Sequence, residues 1–306
     1  MKKILFGFIC VVGLIQVSCT RDETNTRRYR LSETIMIDGL ERTYTIQLPG
    51  NYYNDTSERP VIFGLHGTGG SGAQFEVDYD FSSKTDHESV IAVYPDGIQR
   101  STGPLKIRSW NAGECCDRAM QNNIDDVKFI TTLIDELPSR FHINKKRIYL
   151  AGMSNGSMMA YRVAAEQPGK IAAIATVSGP MVYERNTSLQ GVVPILHIHS
   201  TRDTKVPLHG GEGILDYYFP PVMEGLHYWA GRNGCDTAAI VQNFDGYELR
   251  SWENADGKMM VKCIITQDGG HSWPGSVKSR RLGDDPSKVV NANSQIWEFF
   301  KQFELP

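Results

Sequence analysis

The pentapeptide Gly152-Met153-Ser154-Asn155-Gly156 reads Gly-x-Ser-x-Gly and lies between a strand pattern and a helix pattern. Residues 147–151 form a short apolar run rich in strand formers, and residues 157–166 are rich in helix formers. A tight turn between a strand and a helix lifts its central side chain clear of the sheet edge. Glycine at the flanking positions avoids a collision with neighbouring backbone. The pattern therefore predicts that Ser154 is a catalytic nucleophile.

Strand and helix patterns alternate along the rest of the chain. Apolar strand patterns cover residues 60–65, 89–94, 171–177, 192–199, 247–252 and 259–266, and helical patterns cover 123–137, 221–232 and 289–303. Asn123 is the predicted cap of the first of these helices. The segments 31–37 and 41–48 flank Asp38-Gly39, which predicts a hairpin. This alternation predicts an α/β fold, with a mainly parallel sheet flanked by helices in a single domain.

A nucleophilic serine needs a base, and the base needs a carboxylate that orients it. In folds that use this serine turn, the acid and then the histidine follow the serine along the chain. Asp203 follows the strand pattern 192–199, and His271 follows the strand pattern 259–266. We therefore predict a triad of Ser154, Asp203 and His271. Three other acids remain alternatives to Asp203: Asp96, Asp245 and Asp268.

Ester or amide chemistry at a serine also needs hydrogen-bond donors for the oxyanion of the tetrahedral intermediate. One predicted donor is the backbone N–H of Asn155, the residue after the nucleophile. The other is the backbone N–H of Thr68, in the glycine-rich loop 66–72 after the strand pattern 60–65. This loop lacks the lysine and the spacing of a phosphate-binding P-loop, so no nucleotide cofactor is predicted.

The first residues read as a targeting segment. Lys2-Lys3 precede an apolar stretch, residues 4–17, that is too short for a membrane span and ends at Val17-Ser18-Cys19. This pattern predicts a lipoprotein-type signal peptide at residues 1–18, lipidation at Cys19, a polar tether at 19–29 and a catalytic domain at 30–306. The predicted protein is exported and held at a membrane, periplasmic or at the cell surface, only through this anchor. Plain secretion with cleavage nearby is the alternative.

Export bears on the remaining cysteines, which can form disulfides in an oxidising compartment. The sequence does not fix their pairing; we predict Cys235 with Cys263, and the adjacent Cys115 with Cys116. Four Cys or His ligands with zinc spacing are absent, so no metal is predicted. The formal net charge of -3 and the lack of a basic cluster argue against a nucleic-acid partner.

Several longer motifs carry a family resemblance. They are 65–70 (LHGTGG), 109–113 (SWNAG), 123–130 (NIDDVKFI), 151–161 (AGMSNGSMMAY) and 269–275 (GGHSWPG). With them the chain, from about Tyr44 to Phe300, resembles the family of bacterial feruloyl esterases, acetylxylan esterases and polyhydroxybutyrate depolymerases, carbohydrate esterase family one. The resemblance implies an α/β-hydrolase fold, no cofactor, the triad of Ser154, Asp203 and His271, and oxyanion donors at Thr68 and Asn155. Cysteine is common in the family where Thr68 stands, and glycine where Ser157 stands.

The resemblance also places Trp110 and Trp273 near the site, where aromatic walls would stack on a feruloyl ring. Alternatively, the two rings serve a polyester chain, or they are core residues. The aromatic run 217–219 would cover the cleft or pack a helix. The predicted activity is that of a feruloyl esterase releasing ferulate from arabinoxylan, with esterified polysaccharide as partner. A polyhydroxybutyrate depolymerase or an acetylxylan esterase is the alternative. Two further alternatives are a tethered polysaccharide-binding protein on an inactive hydrolase scaffold and a peptidase of the same fold.

Overall fold

The structure, a computed structural model, describes residues 27–99, 107–183, 191–276 and 283–306. The predicted signal peptide and Cys19 lie outside the described residues, as does the predicted tether up to residue 26. Within the described ranges, no helix has the length and apolar character needed to cross a membrane.

Fourteen strands are present in the described residues. In chain order they are β1 (Arg30–Ile37), β2 (Leu40–Gln47), β3 (Arg59–Leu65), β4 (Ile91–Pro95), β5 (Ile98–Gln99), β6 (Arg108–Ser109), β7 (Ile143–Met153), β8 (Ala173–Val177), β9 (Ile195–Ser200), β10 (Gly211–Glu212), β11 (Tyr218–Phe219), β12 (Ile240–Phe244), β13 (Tyr247–Glu253) and β14 (Met259–Thr266). The helices are α1 (Gly72–Asp78), α2 (Phe81–His87), α3 (Asp117–Gln121), α4 (Asp126–Glu136), α5 (Asn155–Glu166), α6 (Val222–Arg232) and α7 (Ala292–Phe300). Short 3-10 turns occur at Tyr52–Asn54, Leu137–Ser139, Pro168–Lys170 and Ile214–Asp216.

Ten of the strands form one central sheet in the order β1-β2-β4-β3-β7-β8-β9-β14-β13-β12. The six central strands, β4-β3-β7-β8-β9-β14, are parallel to one another. One apolar core lies between the sheet and α4, α5 and α6, and a second lies between the sheet and α1, α2 and α7. Because helices cover both faces, strands β3, β4, β8 and β9 are buried along their whole length. The predicted α/β fold with a mainly parallel sheet is confirmed.

The two ends of the sheet are antiparallel. Strands β1 and β2 form the predicted hairpin, in which Asp38 and Gly39 take φ values of 48° and 78°. These left-handed conformations are those of the Asp-Gly hairpin turn. At the other end, β12 and β13 form a second hairpin, whose outer strand β12 is exposed throughout and was not predicted.

The predicted cap of helix α4 is wrong by two residues. Asp125, not Asn123, accepts a hydrogen bond from the backbone N–H of Lys128 and so caps the helix. Asn123 has a φ of 47°, and its N–H donates to the carbonyl of Met120 at the end of α3. A residue in that left-handed turn does not have the extended backbone typical of an N-cap.

The four cysteines of the domain form one disulfide, Cys115–Cys116, and two free thiols, Cys235 and Cys263. The predicted pairing of Cys235 with Cys263 is therefore wrong. The backbone of Cys235 forms an isolated β-bridge with Asn254, just after β13. Cys263 in β14 is paired in the sheet with Arg250 in β13. Four residues along β13 separate the two partners, about 13 Å at the usual rise per strand residue. A disulfide requires Cα atoms within about 7 Å.

Candidate active site

Ser154 lies in a strained turn between β7 and α5. Its φ and ψ are 56° and -122°, a region that non-glycine residues rarely occupy. A Cβ on Gly152 would lie 2.2 Å from the carbonyl oxygen of Gly156, and a Cβ on Gly156 would lie 2.1 Å from that of Leu65. Both glycines are therefore required by close backbone approach, as the sequence pattern predicts.

The structure brings Ser154, His271 and Asp203 together in one hydrogen-bonded chain. His271 Nε2 lies 2.9 Å from Ser154 Oγ, and His271 Nδ1 lies 2.8 Å from Asp203 Oδ2. Asp203 follows β9 and His271 follows β14, and these two strands are parallel neighbours in the sheet. Their carboxyl ends therefore meet at one edge, beside the turn that carries Ser154.

Two of the alternative acids are bonded elsewhere, and the third is exposed to solvent. Asp96 accepts hydrogen bonds from the hydroxyl of Thr43 and the backbone N–H of Gly72. Asp268 accepts from the hydroxyl of Ser287 and the backbone N–H of Lys288. Asp245 is exposed in the turn between β12 and β13. Of the four candidates, Asp203 is the one whose carboxylate contacts His271.

Asp203 is buried and held in its charged form. Burial by itself raises the pKa of this carboxyl, but hydrogen bonding and charge interaction with His271, together with the backbone N–H of Val206, outweigh it and lower the pKa. Oδ1 accepts from the backbone N–H groups of Lys205 and Val206, at 3.0 and 2.8 Å. Oδ2 accepts from His271 Nδ1 at 2.8 Å. A charged Asp203 favours the tautomer of His271 with its proton on Nδ1, so that Nε2 faces Ser154 as an acceptor.

The two predicted oxyanion donors lie beside Ser154. Asn155 is the first residue of α5, so its backbone N–H has no partner within the helix. Gly67 packs against the serine, since a Cβ there would lie 3.2 Å from Ser154 Cβ. Gly67 and Thr68 border the same cleft as Ser154 and His271. The loop after β3 and the start of α5 thus meet at the serine hydroxyl.

The cleft above Ser154 has a volume of about 300 Å³. Its walls are largely apolar, and they include Tyr79, Met153, Met158, Val206, Ile214, Leu215, Tyr217 and Phe219. Polar groups come from Thr68, Gln74, Lys205 and His271. A mostly apolar cleft with a few polar groups around a hydrogen-bonded serine is typical of a site that binds a small organic group.

Trp110 and Trp273 are core residues, as the alternative reading has it, and the prediction that they form aromatic walls is wrong. Trp110 is 0% exposed, and its indole N–H donates to the carbonyl of His66. Trp273 is 1% exposed, and its indole N–H donates to Asn293 Oδ1. Both rings are covered by the cores beneath the site. Residues from the run 217–219 border the cleft instead, as one of the two readings of that run predicts.

The fold and the site can now be compared with known proteins. Residues 53–219 match the phospholipase/carboxylesterase family, and this match covers more than half of the chain. The chain belongs to this family. The esterase resemblance predicted from the motifs is confirmed at the family level.

Curated relatives of this chain include a feruloyl esterase and a bifunctional acetylxylan esterase/xylanase. Feruloyl esterase B of Piromyces equi is 28% identical over 273 residues, which cover 87% of this chain and 46% of the relative. The bifunctional acetylxylan esterase/xylanase XynS20E of Neocallimastix patriciarum is 27% identical over 248 residues, which cover 80% of this chain and 33% of the relative. The chain thus spans less than half the length of these two relatives.

Other matches extend over most of both chains. The probable feruloyl esterase C of Aspergillus niger is 26% identical over 267 residues, covering 85% of this chain and 83% of the relative. Among solved structures, the acetyl xylan esterase from Aspergillus awamori superposes with a TM-score of 0.63 at 16% identity, covering 89% of this chain and 98% of that chain. This structural likeness shows a shared fold.

Two buried histidines continue the series of polar contacts from Ser154, His271 and Asp203 into the core. His197 and His199 lie on one face of β9, and His197 Nε2 is 3.0 Å from His199 Nδ1. His199 Nε2 donates to the carbonyl of Val206 at 2.8 Å and lies 3.4 Å from Asp203 Oδ2. Burial lowers the pKa of both imidazoles. The His-x-His spacing places both on one side of a strand, but the contact with Asp203 depends on the loop that follows.

Asp284 is a second neighbour of the site that sequence reasoning missed. One carboxylate oxygen accepts the backbone N–H of His271 at 2.7 Å, and the other accepts from Lys205 Nζ at 2.8 Å. Burial by itself raises the pKa of this carboxyl, but the bonds from Lys205 and His271 lower it overall. No motif marks this residue.

In the described part of the chain, no group of three or more His, Cys, Asp or Glu side chains is placed to hold a metal ion.

Proposed function

We propose that this protein is a serine ester hydrolase that acts on esters of plant cell-wall polysaccharide, and specifically that it is a feruloyl esterase. The observation that carries the proposal is the chain of hydrogen bonds from Ser154 through His271 to Asp203 at the floor of the cleft. That geometry, together with general acid–base chemistry, supports catalytic roles for these three residues.

In the proposed reaction, Ser154 Oγ attacks the ester carbonyl carbon while His271 Nε2 takes the hydroxyl proton. The carbonyl oxygen becomes an oxyanion that accepts hydrogen bonds from the backbone N–H groups of Thr68 and Asn155. Collapse of the tetrahedral intermediate breaks the bond to the alcohol oxygen, which takes the proton from His271 and leaves. Water then attacks the acyl-enzyme with His271 as base, and the free acid and Ser154 are restored.

Two observations favour an aromatic acyl group. The cleft of about 300 Å³ is lined by aromatic and aliphatic side chains, and its volume is at the lower end of the roughly 300–1,000 Å³ that hold drug-sized ligands. Relatives that match over most of this chain are named feruloyl esterases. The acetylxylan esterase/xylanase relative makes acetylxylan the second candidate substrate.

The proposal includes export and a lipid anchor at Cys19. The charged start, the short apolar stretch and the small residues before Cys19 support it. Labelling of growing cells with a radioactive or alkyne-bearing fatty acid tests it. The full chain should take up label, and Cys19→Ala should not.

The deciding experiment compares hydrolysis of methyl ferulate, p-nitrophenyl acetate and p-nitrophenyl butyrate by the full chain and by Ser154→Ala. Fast release of ferulate that disappears in the variant supports a feruloyl esterase. Activity restricted to the short aliphatic esters keeps the serine mechanism but moves the substrate to acetyl groups or aliphatic polyesters. Equal rates for the two proteins, with contaminating esterase excluded, would contradict the proposed mechanism.

A further inference from the structure

The side chain of Asn155 is bonded to the backbone of Trp110. Asn155 Oδ1 accepts from the Trp110 backbone N–H at 2.7 Å, and Asn155 Nδ2 donates to the Trp110 carbonyl at 3.0 Å. Both residues are fully buried. The primary amide therefore forms two hydrogen bonds with one residue's main chain, which fixes the first residue of α5 relative to the loop that carries Trp110.

The side chain of Trp110 contacts His66, at the start of the glycine-rich loop after β3. Its indole N–H donates to the carbonyl of His66 at 2.9 Å, and the indole and imidazole ring centroids are 5.0 Å apart. His66 Nε2 accepts from the backbone N–H of Gly97 at 2.9 Å. The imidazole proton then lies on Nδ1, which donates to the carbonyl of Gly67 at 2.8 Å.

The bond from His66 to Gly67 fixes the direction of a proposed oxyanion donor. The carbonyl of Gly67 and the N–H of Thr68 belong to one planar trans peptide and point in opposite directions. The Gly67 carbonyl accepts from His66 Nδ1 and from the backbone N–H of Gly70 at 2.9 Å. Rotation of that peptide would break both bonds, so the Thr68 N–H is held in its orientation.

The two proposed donors are thus connected through three residues, Asn155, Trp110 and His66. We term these three residues the tryptophan bridge. We propose that Trp110 is a positioning residue, which sets the separation and direction of the Asn155 and Thr68 N–H groups in the oxyanion hole. This role rests on the proposed function, since it requires a tetrahedral intermediate formed on Ser154.

The tryptophan bridge is itself anchored in the core. The residue after Trp110, Asn111, donates its backbone N–H to Asp126 Oδ2 at 2.7 Å. Asp126 forms a buried ion pair with Arg42, with 2.7 Å between Nη2 and Oδ1. The loop holding Trp110 is therefore tied to α4 and β2.

Trp110→Phe tests the proposal, because it keeps an aromatic ring and removes the indole N–H. Trp273→Phe is the matched control: it also removes one buried indole N–H, bonded in this case to Asn293, which lies outside the oxyanion loops. Each full-chain variant is assayed on an oxo ester and on its thiono analogue, in which sulfur replaces the carbonyl oxygen. Sulfur is larger than oxygen and a weaker hydrogen-bond acceptor, so a thiono ester gains less from the oxyanion hole. The ratio of kcat for the oxo ester to kcat for the thiono ester therefore reports on the hole. A general loss of packing lowers both kcat values alike and leaves the ratio unchanged.

For Trp110→Phe we expect the oxo-ester kcat to fall about 10- to 100-fold, with the oxo-to-thiono ratio falling by a similar factor and KM changing little. Trp273→Phe should keep the wild-type ratio. Asn155→Ala, which removes both bonds to Trp110 but keeps its own backbone N–H, should reproduce the lower ratio and serves if Trp110→Phe does not fold.

A wild-type ratio in both Trp110→Phe and Asn155→Ala, or an equal drop in Trp273→Phe, would overturn the positioning role while leaving the esterase intact. Failure of the proposed function has a different signature, because the wild type and Ser154→Ala would then hydrolyse the oxo ester equally. That result would overturn both proposals.

Discussion

Lys205 and Asp284 form an ion pair, 2.8 Å between Nζ and Oδ1, that joins the loop holding Asp203 to the loop holding His271. Asp284 Oδ2 also accepts the backbone N–H of His271. The proposed acid and base come from the ends of two different strands, and this pair provides a direct link between their loops. A carboxylate with no motif of its own thus takes part in fixing the imidazole.

Asp284→Ala should lower kcat about tenfold, because it removes two hydrogen bonds that orient the His271 loop. Steady-state kinetics on methyl ferulate measure the effect. Asp285→Ala is the matched control, since it makes the same change at the next residue and leaves both bonds in place. Equal kcat values for the two variants would show that the ion pair does not orient His271.

Asp203→Asn should lower kcat about 1,000- to 10,000-fold. The amide would face His271 Nδ1 with an N–H, so that Nε2 would carry the proton and could not accept one from Ser154. Stopped or continuous ester assays measure the loss, and circular dichroism shows whether the fold is kept. Asp268→Asn, at the alternative acid bonded to Ser287, should retain activity; a larger loss there than at Asp203 would reassign the acid.

Tyr217→Ala should raise KM for methyl ferulate about 5- to 20-fold and change KM for p-nitrophenyl acetate much less. Tyr217 borders the cleft, and its ring is available to pack against an aromatic acyl group. Tyr218→Ala is the control at the adjacent position, where the side chain is 80% exposed and does not border the cleft. A similar change in KM for both esters would argue against an aromatic acyl site at Tyr217.

The free energy of unfolding should fall as the pH drops below about 6.5. Burial lowers the pKa of His197 and His199 in the folded protein below the ordinary histidine value of 6.5, so the unfolded chain binds protons first. The stabilisation is complete above the unfolded pKa and is lost as pH falls toward the folded pKa. Urea unfolding at pH 7.5 and pH 5.5 measures the difference.

His197→Asn should flatten this pH dependence, whatever its effect on stability at pH 7.5. Comparing the variant with the wild type separates the contribution of the histidines to the pH dependence from that of buried carboxyls. Asp126 is one such carboxyl, and burial raises its pKa. His87→Asn, at an exposed histidine, should keep the wild-type slope. An unchanged slope in His197→Asn would show that His197 does not titrate differently in the two states.

The sequence by itself predicted the α/β fold and the positions that carry the proposed chemistry. Strand and helix periods, the glycines around Ser154 and the order serine, acid, histidine are local or ordinal features, and they can be read without coordinates. The hairpin at Asp38-Gly39 belongs to the same class, because its turn type depends on two residues.

Tertiary structure decided the features that depend on which segments meet. Trp110 and Trp273 look alike in sequence as candidate cleft walls, yet packing buries both and gives Trp110 two bonded neighbours, Asn155 and His66, 45 and 44 residues away. Asp284 reaches the backbone N–H of His271, thirteen residues earlier in the chain, only because the connection between β14 and α7 folds back on itself. Cys235 and Cys263 stay apart because strand register separates them. Contacts between distant segments depend on packing and register, and no local pattern encodes these.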